Sequence, residues 1–435
     1  MNDARTSPAG ATTVVIGAGP AGIGAALALG HDAIVVEQGD GPGGLSATLE
    51  MEGAIFDLGG HSFHTPHPAV RKLVFDALPM QEQVRQAWCH VAGDWVRYPF
   101  QKHFASHRDA ALVEQCRAGR ATPRTTAVAA NFAQHIEQRF GAGIARHFLV
   151  PYNEKLWGPD LGRLAADWTA ERVAAPAGSS EHFLASGEKR TPLQAETTVA
   201  YPAEGGFGEI FRALAKRLPD VRYRQRVVRI DPAARRIELA DGTALPWQRI
   251  VSTLPLPVLV GLLPGVPARL RESLQRLVAL PISLVLLALD TRLDTSVQRV
   301  YCPGDGIAGH KIVLNHNSSD FLRALPRHGI EVEVSGAGAA AREGDDKLIA
   351  NAIEGLIAIG LLASRERVTR ARVVRLALGY PVPTHDRAAI VDEARRWLAE
   401  RGIATVGRFG EWAYINSDEA LARGFEAGKA CAAIS

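Results

Sequence analysis

Gly17-x-Gly19-x-x-Gly22 places three glycines where a β-branched run, Thr12 to Ile16, gives way to an Ala/Leu-rich stretch ending at Gly30. Each answers a physical need in a turn that carries a pyrophosphate. Gly17 allows the sharp bend, Gly19 lets backbone approach the phosphates, and Gly22 lets helix and strand pack closely. The helix N-terminus then offers free N–H groups and the positive end of its dipole. Glu37 closes a second apolar run, Ala33 to Val36, about 20 residues on, where a carboxylate can accept hydrogen bonds from an adenosine ribose. FAD and NAD share this platform. Gly41-Pro42-Gly43-Gly44-Leu45, directly after Glu37, favours FAD, because a second glycine segment suits the longer path of a flavin dinucleotide. Phe56-Asp57-Leu58-Gly59-Gly60-His61 offers another place where backbone could approach a flat ring; on these residues alone, a loop between strands is the other reading.

Other chemistries find less support. His61, His64 and His67 recur every third residue, but Pro66 and Pro68 prevent a helix that would align them, and no cysteine or carboxylate completes a tetrahedral set. No metal site is expected. A G-x-S-x-G elbow is absent from the sequence, so Ser/His hydrolysis lacks its usual local support. The four cysteines, Cys89, Cys116, Cys302 and Cys431, form no C-x-x-C pair and fit a reducing cytoplasm.

The chain has 435 residues, 47% hydrophobic and 22% charged, which suits two or three globular domains and excludes bulk disorder. Lys and Arg total 49 against 46 Asp and Glu, so the +3 charge makes nucleic acid a poor candidate partner. The N-terminal residues before Val14 are polar, with no apolar export segment, and are expected to be a disordered lead-in. Leu277 to Leu289 is the longest apolar stretch. It contains Pro281 and falls short of the roughly 20 residues that span a bilayer, so it reads as a buried strand, and no membrane anchor is expected.

Strand, turn, helix and strand fill the first fifty residues and start a parallel sheet. From Asp109 to Ala170 the spacing turns helical, as in Phe132, Ile136, Phe140, Ile144 and Phe148. Ala177 to Glu196 reads as a loop. Val221 to Ile230 and Arg236 to Leu239 alternate as a hairpin and lead to a buried strand at Ile250 to Thr253. Ser283 to Leu289, Lys311 to Leu314, Glu331 to Val334 and Val373 to Leu378 read as a second, antiparallel sheet, with a helix at Asp345 to Leu362. The expected fold class is α/β: a Rossmann-like FAD-binding domain (12–80, 196–264 and 396–435), a helical insertion with a mobile loop (109–195), and an antiparallel-sheet substrate domain (81–108 and 265–395).

Several longer motifs carry a resemblance. They are Asp57-Leu58-Gly59-Gly60-His61, Val96-Arg97-Tyr98-Pro99-Phe100-Gln101, Pro151-Tyr152-Asn153-Glu154-Lys155-Leu156-Trp157 and Glu171-Arg172-Val173-Ala174-Ala175-Pro176. The series continues with Tyr201-Pro202-Ala203-Glu204-Gly205-Gly206, Leu378-Gly379-Tyr380-Pro381-Val382-Pro383-Thr384 and Gly407-Arg408-Phe409-Gly410-Glu411-Trp412-Ala413-Tyr414. In order and spacing the chain resembles the flavin-dependent UDP-galactopyranose mutases, especially their eukaryotic-type branch, within the FAD-dependent amine oxidase and protoporphyrinogen oxidase-like group. The resemblance implies a non-redox reaction on reduced FAD. Flavin N5 acts as nucleophile on the anomeric carbon of a sugar nucleotide, the nucleoside diphosphate leaves, the ring contracts, and the nucleotide re-adds to give the furanose. NAD(P)H is the implied reductant, needed only to reduce the flavin.

Carried over residue by residue, the resemblance makes His61 the histidine of the loop facing the flavin and Arg172 the fixed positive charge near flavin and diphosphate, together the catalytic pair. Gly17, Gly19, Gly22, Glu37, Gly43, Gly44, Gly59, Gly60, Arg408, Asn416 and Ser417 are the further cofactor-binding positions, and the segment ending in Gly424 returns the last helix beneath the flavin. Substrate positions are Tyr98 and Gln101 in the nucleotide pocket, Asn153 and Trp157 at the uridine, and Tyr301, Tyr380 and Tyr414 around the diphosphate. One departure matters. Where the family has a second diphosphate-binding arginine, counting from Tyr301 reaches Lys311 and counting back from Asn315-His316-Asn317 reaches His310; lysine binds phosphate as a point charge without the bidentate fork, and Arg299 stands nearby. The stretch Tyr414 to Asp418 is also short. Both concern the sugar nucleotide, not the flavin. The alternatives are a redox enzyme of the same group, told apart by sustained acceptor consumption, and a non-catalytic flavoprotein partner in a glycan pathway. Homo-oligomerisation stays open.

Overall fold

The computed structural model describes residues 13–121, 128–169, 182–183, 189–190 and 198–433. Five short strands form a parallel sheet in the spatial order Val221–Arg222, Ala33–Val36, Thr13–Ile16, Arg249–Ser252, Ile403–Thr405. Counted along the chain this is 3-2-1-4-5, so the winding reverses between the first and fourth strands and a crevice opens at their carboxyl ends. Val14, Val15, Ile250 and Val251 are fully buried, because helices and further strands cover both faces of the sheet.

The expected hairpin from Val221 is split in two. Val221–Arg222 lies beside Ala33–Val36 in the parallel sheet, and the chain then bends through Arg224, at φ +58°, before Val227–Asp231 opens a separate antiparallel sheet with Arg236–Leu239 and Ala244–Pro246. A non-glycine residue in the left-handed region interrupts a strand, and alternation of residue type does not reveal where that happens.

The helix after the glycine turn, Pro20–Leu29, packs against the C-terminal helix Ser417–Ala432. Ala21 meets Gly424 and Ala25 meets Gly428, so the helices run parallel. A Cβ on Gly424 would lie 1.9 Å from the Ala21 carbonyl oxygen, and one on Gly24 would lie 2.2 Å from the Leu421 oxygen, so the two backbones touch with no room for a side chain. Because the pair is parallel, both N-termini point to the same end, the crevice.

A second sheet has seven strands in the order Val368–Pro381, Ala279–Leu289, Gly329–Ser335, Lys311–Val313, Arg299–Tyr301, Ala87–Val91, Asp94–Arg97. Every neighbouring pair is antiparallel except Arg299–Tyr301 with Ala87–Val91. Side chains alternate between its faces. Val285, Leu287, Val300, Ile312, Ile330, Val332 and Val334 form one apolar face against Leu348, Ala352, Ile353 and Leu356 of the helix Asp345–Ala358. Burial of each such side chain is worth about 1.5–3 kcal/mol, enough for this face to fix the register. The opposite face then necessarily presents Arg299, Tyr301, Lys311, Glu331 and Glu333. Pro281 sits where the register with Val368–Pro381 shifts, so its missing N–H breaks no ladder bond, and its carbonyl accepts from Gly336 N–H at 2.8 Å.

The insertion comprises helices Ala110–Ala121, Phe132–Phe140 and Ala142–Ile144, a wide π turn at Ala145–Leu149, and the helix Val150–Trp157. Phe132, Ile136, Phe140, Ile144 and Phe148 are buried in one core with Leu284 and Leu286 of the large sheet. The Glu171 to Pro176 motif and Arg172 lie outside the described residues, as does the expected loop at 177–196 apart from the short pairing of His182–Phe183 with Lys189–Arg190. Among the described residues no helix is long and apolar enough to cross a membrane. Gly424→Val forces a branched side chain into the helix contact; it is expected to cost about 1–3 kcal/mol, read as a lower melting temperature, and to lower the flavin content of the purified protein.

Candidate functional site

A cavity of about 840 Å³ runs from the crevice of the parallel sheet to the polar face of the large sheet. The helix N-termini at Gly19–Ala21 and Asn416–Ala420 both reach it. At the crevice end, Gly17 has φ +102°, and a Cβ there would overlap Thr253 Oγ1 at 2.1 Å. A Cβ on Gly22 would lie 1.9 Å from the Gly17 oxygen. Gly19 differs: a Cβ there meets no atom within 4 Å, because its backbone faces the open cavity. Two glycines therefore make the turn and its packing possible, and the third leaves space for a phosphate. Gly43 N–H donates to the Ala18 oxygen at 2.9 Å, and a Cβ on Gly44 would lie 3.4 Å from the Gly19 Cα, so the second glycine segment folds over the first. Glu37 accepts from Ala18 N–H at 2.8 Å and Gly39 N–H at 2.7 Å, and each carboxylate oxygen keeps a second lone pair for a ligand hydroxyl.

Midway along the cavity, Asp57 anchors the Phe56 to His61 loop. Its buried carboxylate accepts from the Thr48 hydroxyl at 2.6 Å, the Tyr201 hydroxyl at 2.6 Å and Phe207 N–H at 2.9 Å. Burial pushes its pKa up, and these bonds partly offset the shift. Gly60 must be glycine, since a Cβ would lie 2.8 Å from Arg299 Nε and 2.9 Å from Val313 Cγ2. The His61 ring stacks on Phe207 at 4.9 Å, and its carbonyl accepts from the buried Arg299 guanidinium. Burial first, then the charges of Lys311, Arg299 and Arg408, pull His61 down to about 3, so this histidine is neutral near pH 7. Among the described residues its Nδ1, buried beside the cavity, has no hydrogen-bond partner. His64 also lines the cavity, whereas His67 turns away to bond Glu419 at 2.7 Å.

Tyr98, Gln101, Tyr152, Asn153, Tyr301, Lys311, Tyr380 and Tyr414 also wall the cavity. Tyr98 and Tyr301 stack on each other at 4.3 Å. The π turn brings Phe148 over Tyr152 at 5.5 Å, so both residues face the cavity. Asn153 Nδ2 donates to the Leu149 oxygen at 2.7 Å. Trp157, expected to offer its face to a base, does not reach the wall. It is fully buried and meets Tyr380 and Tyr414 edge to face at 5.8 and 5.5 Å, so it supports the tyrosines from behind. Arg408 and Ser417 line the cavity, with Arg408 also donating to the Ile415 oxygen at 2.7 Å and thereby closing the turn that precedes the last helix.

Tyr152 and Glu333 are among the wall residues not expected from the sequence. Glu333 lies 2.6 Å from Lys311 Nζ. Burial alone would raise its pKa, but Lys311 and His310 hold it well below the ordinary carboxylate range. Lys311 is correspondingly raised, Glu333 outweighing the cost of burial. The available signal was Gly329-Ile-Glu-Val-Glu-Val-Ser335, two carboxylates at alternate positions of an otherwise apolar strand.

Open space at Gly19 before two helix ends, the Glu37 carboxylate with free lone pairs, and the Gly59–His61 loop on the cavity wall together fit FAD. The sequence profile of the family described as flavin containing amine oxidoreductase matches residues 21–322, well over half of the chain. The chain belongs to that family. Among solved structures, this family member is similar to a reduced UDP-galactopyranose mutase, with 25% identity and a TM-score of 0.88 over 98% of this chain and 96% of that one. It also shares its fold with cyclohexylamine oxidase from Brevibacterium oxydans IH-35A (16% identity, TM-score 0.70, 98% and 99% covered) and a putrescine oxidase redesigned in its cofactor site (17%, 0.67, 98% and 99%). The expected fold class, an FAD-binding unit joined to an antiparallel-sheet unit and a helical insertion, is the one observed.

Beside Ser417, Asp418 is buried and pushed up to about 6, mainly by desolvation, with Oδ2 unpartnered. Its folded-state pKa exceeds its unfolded value, so stability is lost as pH rises from about 4 through 6, and by pH 7 the ionised carboxylate costs on the order of 1–3 kcal/mol. Asp418→Asn is expected to raise stability by that amount at pH 7 and to match the wild type near pH 4, as read by guanidinium unfolding at both pH values.

Proposed function

We propose that this flavoprotein is a sugar-nucleotide mutase interconverting pyranose and furanose forms, with UDP-galactopyranose or a related sugar nucleotide as substrate. The observation that carries the reading is the second, polar half of the cavity, which ends on the Gly59–His61 loop and holds phenols, amides and a lysine in place of an apolar funnel. A full-length likeness to a UDP-galactopyranose mutase supports it. Bound reduced FAD would supply an electron-rich, nucleophilic ring. The chain's own residues do the rest. The N-terminus of Ser417–Ala432 favours negative charge where it meets the cavity. Tyr301 and Tyr414 offer phenolic donors to phosphate oxygens, Tyr380 stands beside them with its hydroxyl donating to Glu333, Lys311 adds an ammonium group, and Tyr98, Tyr152, Gln101 and Asn153 hold the nucleoside. Neutral His61 places no competing charge beside the ring, and Arg172 is assigned the diphosphate by its motif. NAD(P)H is the proposed reductant, and the reducing cytoplasm, where thiols such as the four buried cysteines persist, is the proposed location.

A second reading is favoured by Glu333. An ionised carboxylate among tyrosine rings also suits a cationic substrate, as an amine-directed oxidoreductase requires. The two part on one experiment: UDP-galactopyranose and UDP-galactofuranose are incubated anaerobically with the protein before and after dithionite reduction and separated by chromatography. Interconversion only after reduction is the expected outcome. Acceptor-coupled turnover of an amine without interconversion replaces it with the second reading. Arg172→Ala is expected to keep its flavin absorbance and lose interconversion, and an unchanged rate would remove Arg172 from the site.

A further inference from the structure

A sugar nucleotide brings two phosphates, yet the wall meant to receive them carries a buried anion. Three groups converge on Glu333: Lys311 Nζ at 2.6 Å, His310 Nε2 at 3.3 Å, and the Tyr380 hydroxyl. Strand pairing fixes the set, since Tyr301 stands opposite Lys311 and Lys311 opposite Glu333 across three adjacent strands. The same carboxylate reaches the flavin-facing loop, with Oε2 3.6 Å from where a Gly59 Cβ would stand. Glu331 shares this face, where burial, reinforced by the charge of Glu333, pushes its carboxyl up and so disfavours a second negative charge.

We infer that Glu333 is a specificity-determining residue that sets how tightly this site holds an anionic nucleotide, by compensating the Lys311 charge while orienting Lys311 as a donor and holding the Tyr380 hydroxyl in place. The inference rests on the sugar-nucleotide reading and deepens it. A free lysine in a low-dielectric wall attracts a diphosphate equally before and during reaction, which lowers KM and slows release without speeding chemistry. A Lys311–Glu333 pair keeps the ammonium's hydrogen bonds and removes its net charge. The site then discriminates by geometry, and the nucleotide can leave.

The test is UDP binding to the oxidised, FAD-loaded protein, followed by calorimetry, with uridine as the uncharged control. Glu333→Gln keeps the shape and an acceptor for Tyr380 while freeing the Lys311 charge. UDP is expected to bind about tenfold tighter or more at low salt, the gain shrinking as salt rises and uridine binding staying unchanged. Structural damage would weaken binding, so tightening separates the two explanations. Removing both charges together, Lys311→Met with Glu333→Gln, is expected to leave UDP affinity within about threefold of wild type. This pair serves if the single variant fails to retain flavin, and a tenfold loss in it would overturn the inference. Wild-type binding of UDP with equal or weaker binding by Glu333→Gln overturns the inference alone. A wild-type protein that binds no UDP overturns the sugar-nucleotide reading itself.

Discussion

Everything at the site depends on backbone contact between two parallel helices. Pro20–Leu29 and Ser417–Ala432 meet through Gly24, Gly424 and Gly428 so closely that carbonyl oxygens of one occupy the space where side chains of the other would begin. Antiparallel helices would place one positive and one negative end at the crevice; this parallel pair places two positive ends there. The same contact brings Ser417 and Asn416 to the cavity that Gly19 lines, and the turn closed by Arg408 seats Tyr414 in its wall. Position of the cofactor cleft and position of the substrate wall thus follow from one row of missing side chains.

Between the two sheets the protein buries an unusual density of charge. Asp57, Arg299 and Glu333 are buried and the Lys311 side chain is 14% exposed, and each of these charges is tolerated because another group answers it. Arg299 is satisfied by the His61 carbonyl and the Ser62 hydroxyl, the latter at 3.0 Å. Asp57 is satisfied by three donors, and His61 gives up its proton instead of adding a cation. In so dry a setting every remaining dipole acts strongly, which is the condition under which oriented donors contribute most to chemistry.

Local features were readable from the residues alone. The glycine turn, Glu37 and the runs at Thr13–Ile16 and Arg249–Ser252 declare themselves within a few positions, because turn geometry and strand burial are imposed by near neighbours. The second sheet was legible as strands for the same reason: Ala279–Leu289 falls within the expected buried strand Leu277 to Leu289, while Val368–Pro381 extends beyond the expected Val373 to Leu378, since pairing continues past the apolar stretch that first marks it. What faces the cavity was harder. Trp157 and Tyr152 share one helix, and only the packing of that helix decides that the tyrosine looks inward while the tryptophan stands behind. Glu333 was invisible for a related reason: its meaning comes from Lys311 across the strand pair. The departure from the diphosphate arginine, read as a lone substitution, becomes in three dimensions one half of an ion pair.

The helix contact joins residues near 21–28 to residues near 417–428, and the fifth strand of the parallel sheet, Ile403–Thr405, is also a late one. During synthesis the glycine turn leaves the ribosome long before the elements that complete its cradle. Until then the first strands have an open sheet edge and a helix with an uncovered glycine face, the kind of exposed surface that chaperones retain and aggregation exploits. The cradle is therefore closed only once Ser417–Ala432 has been made, and the early elements depend on that helix to cover them.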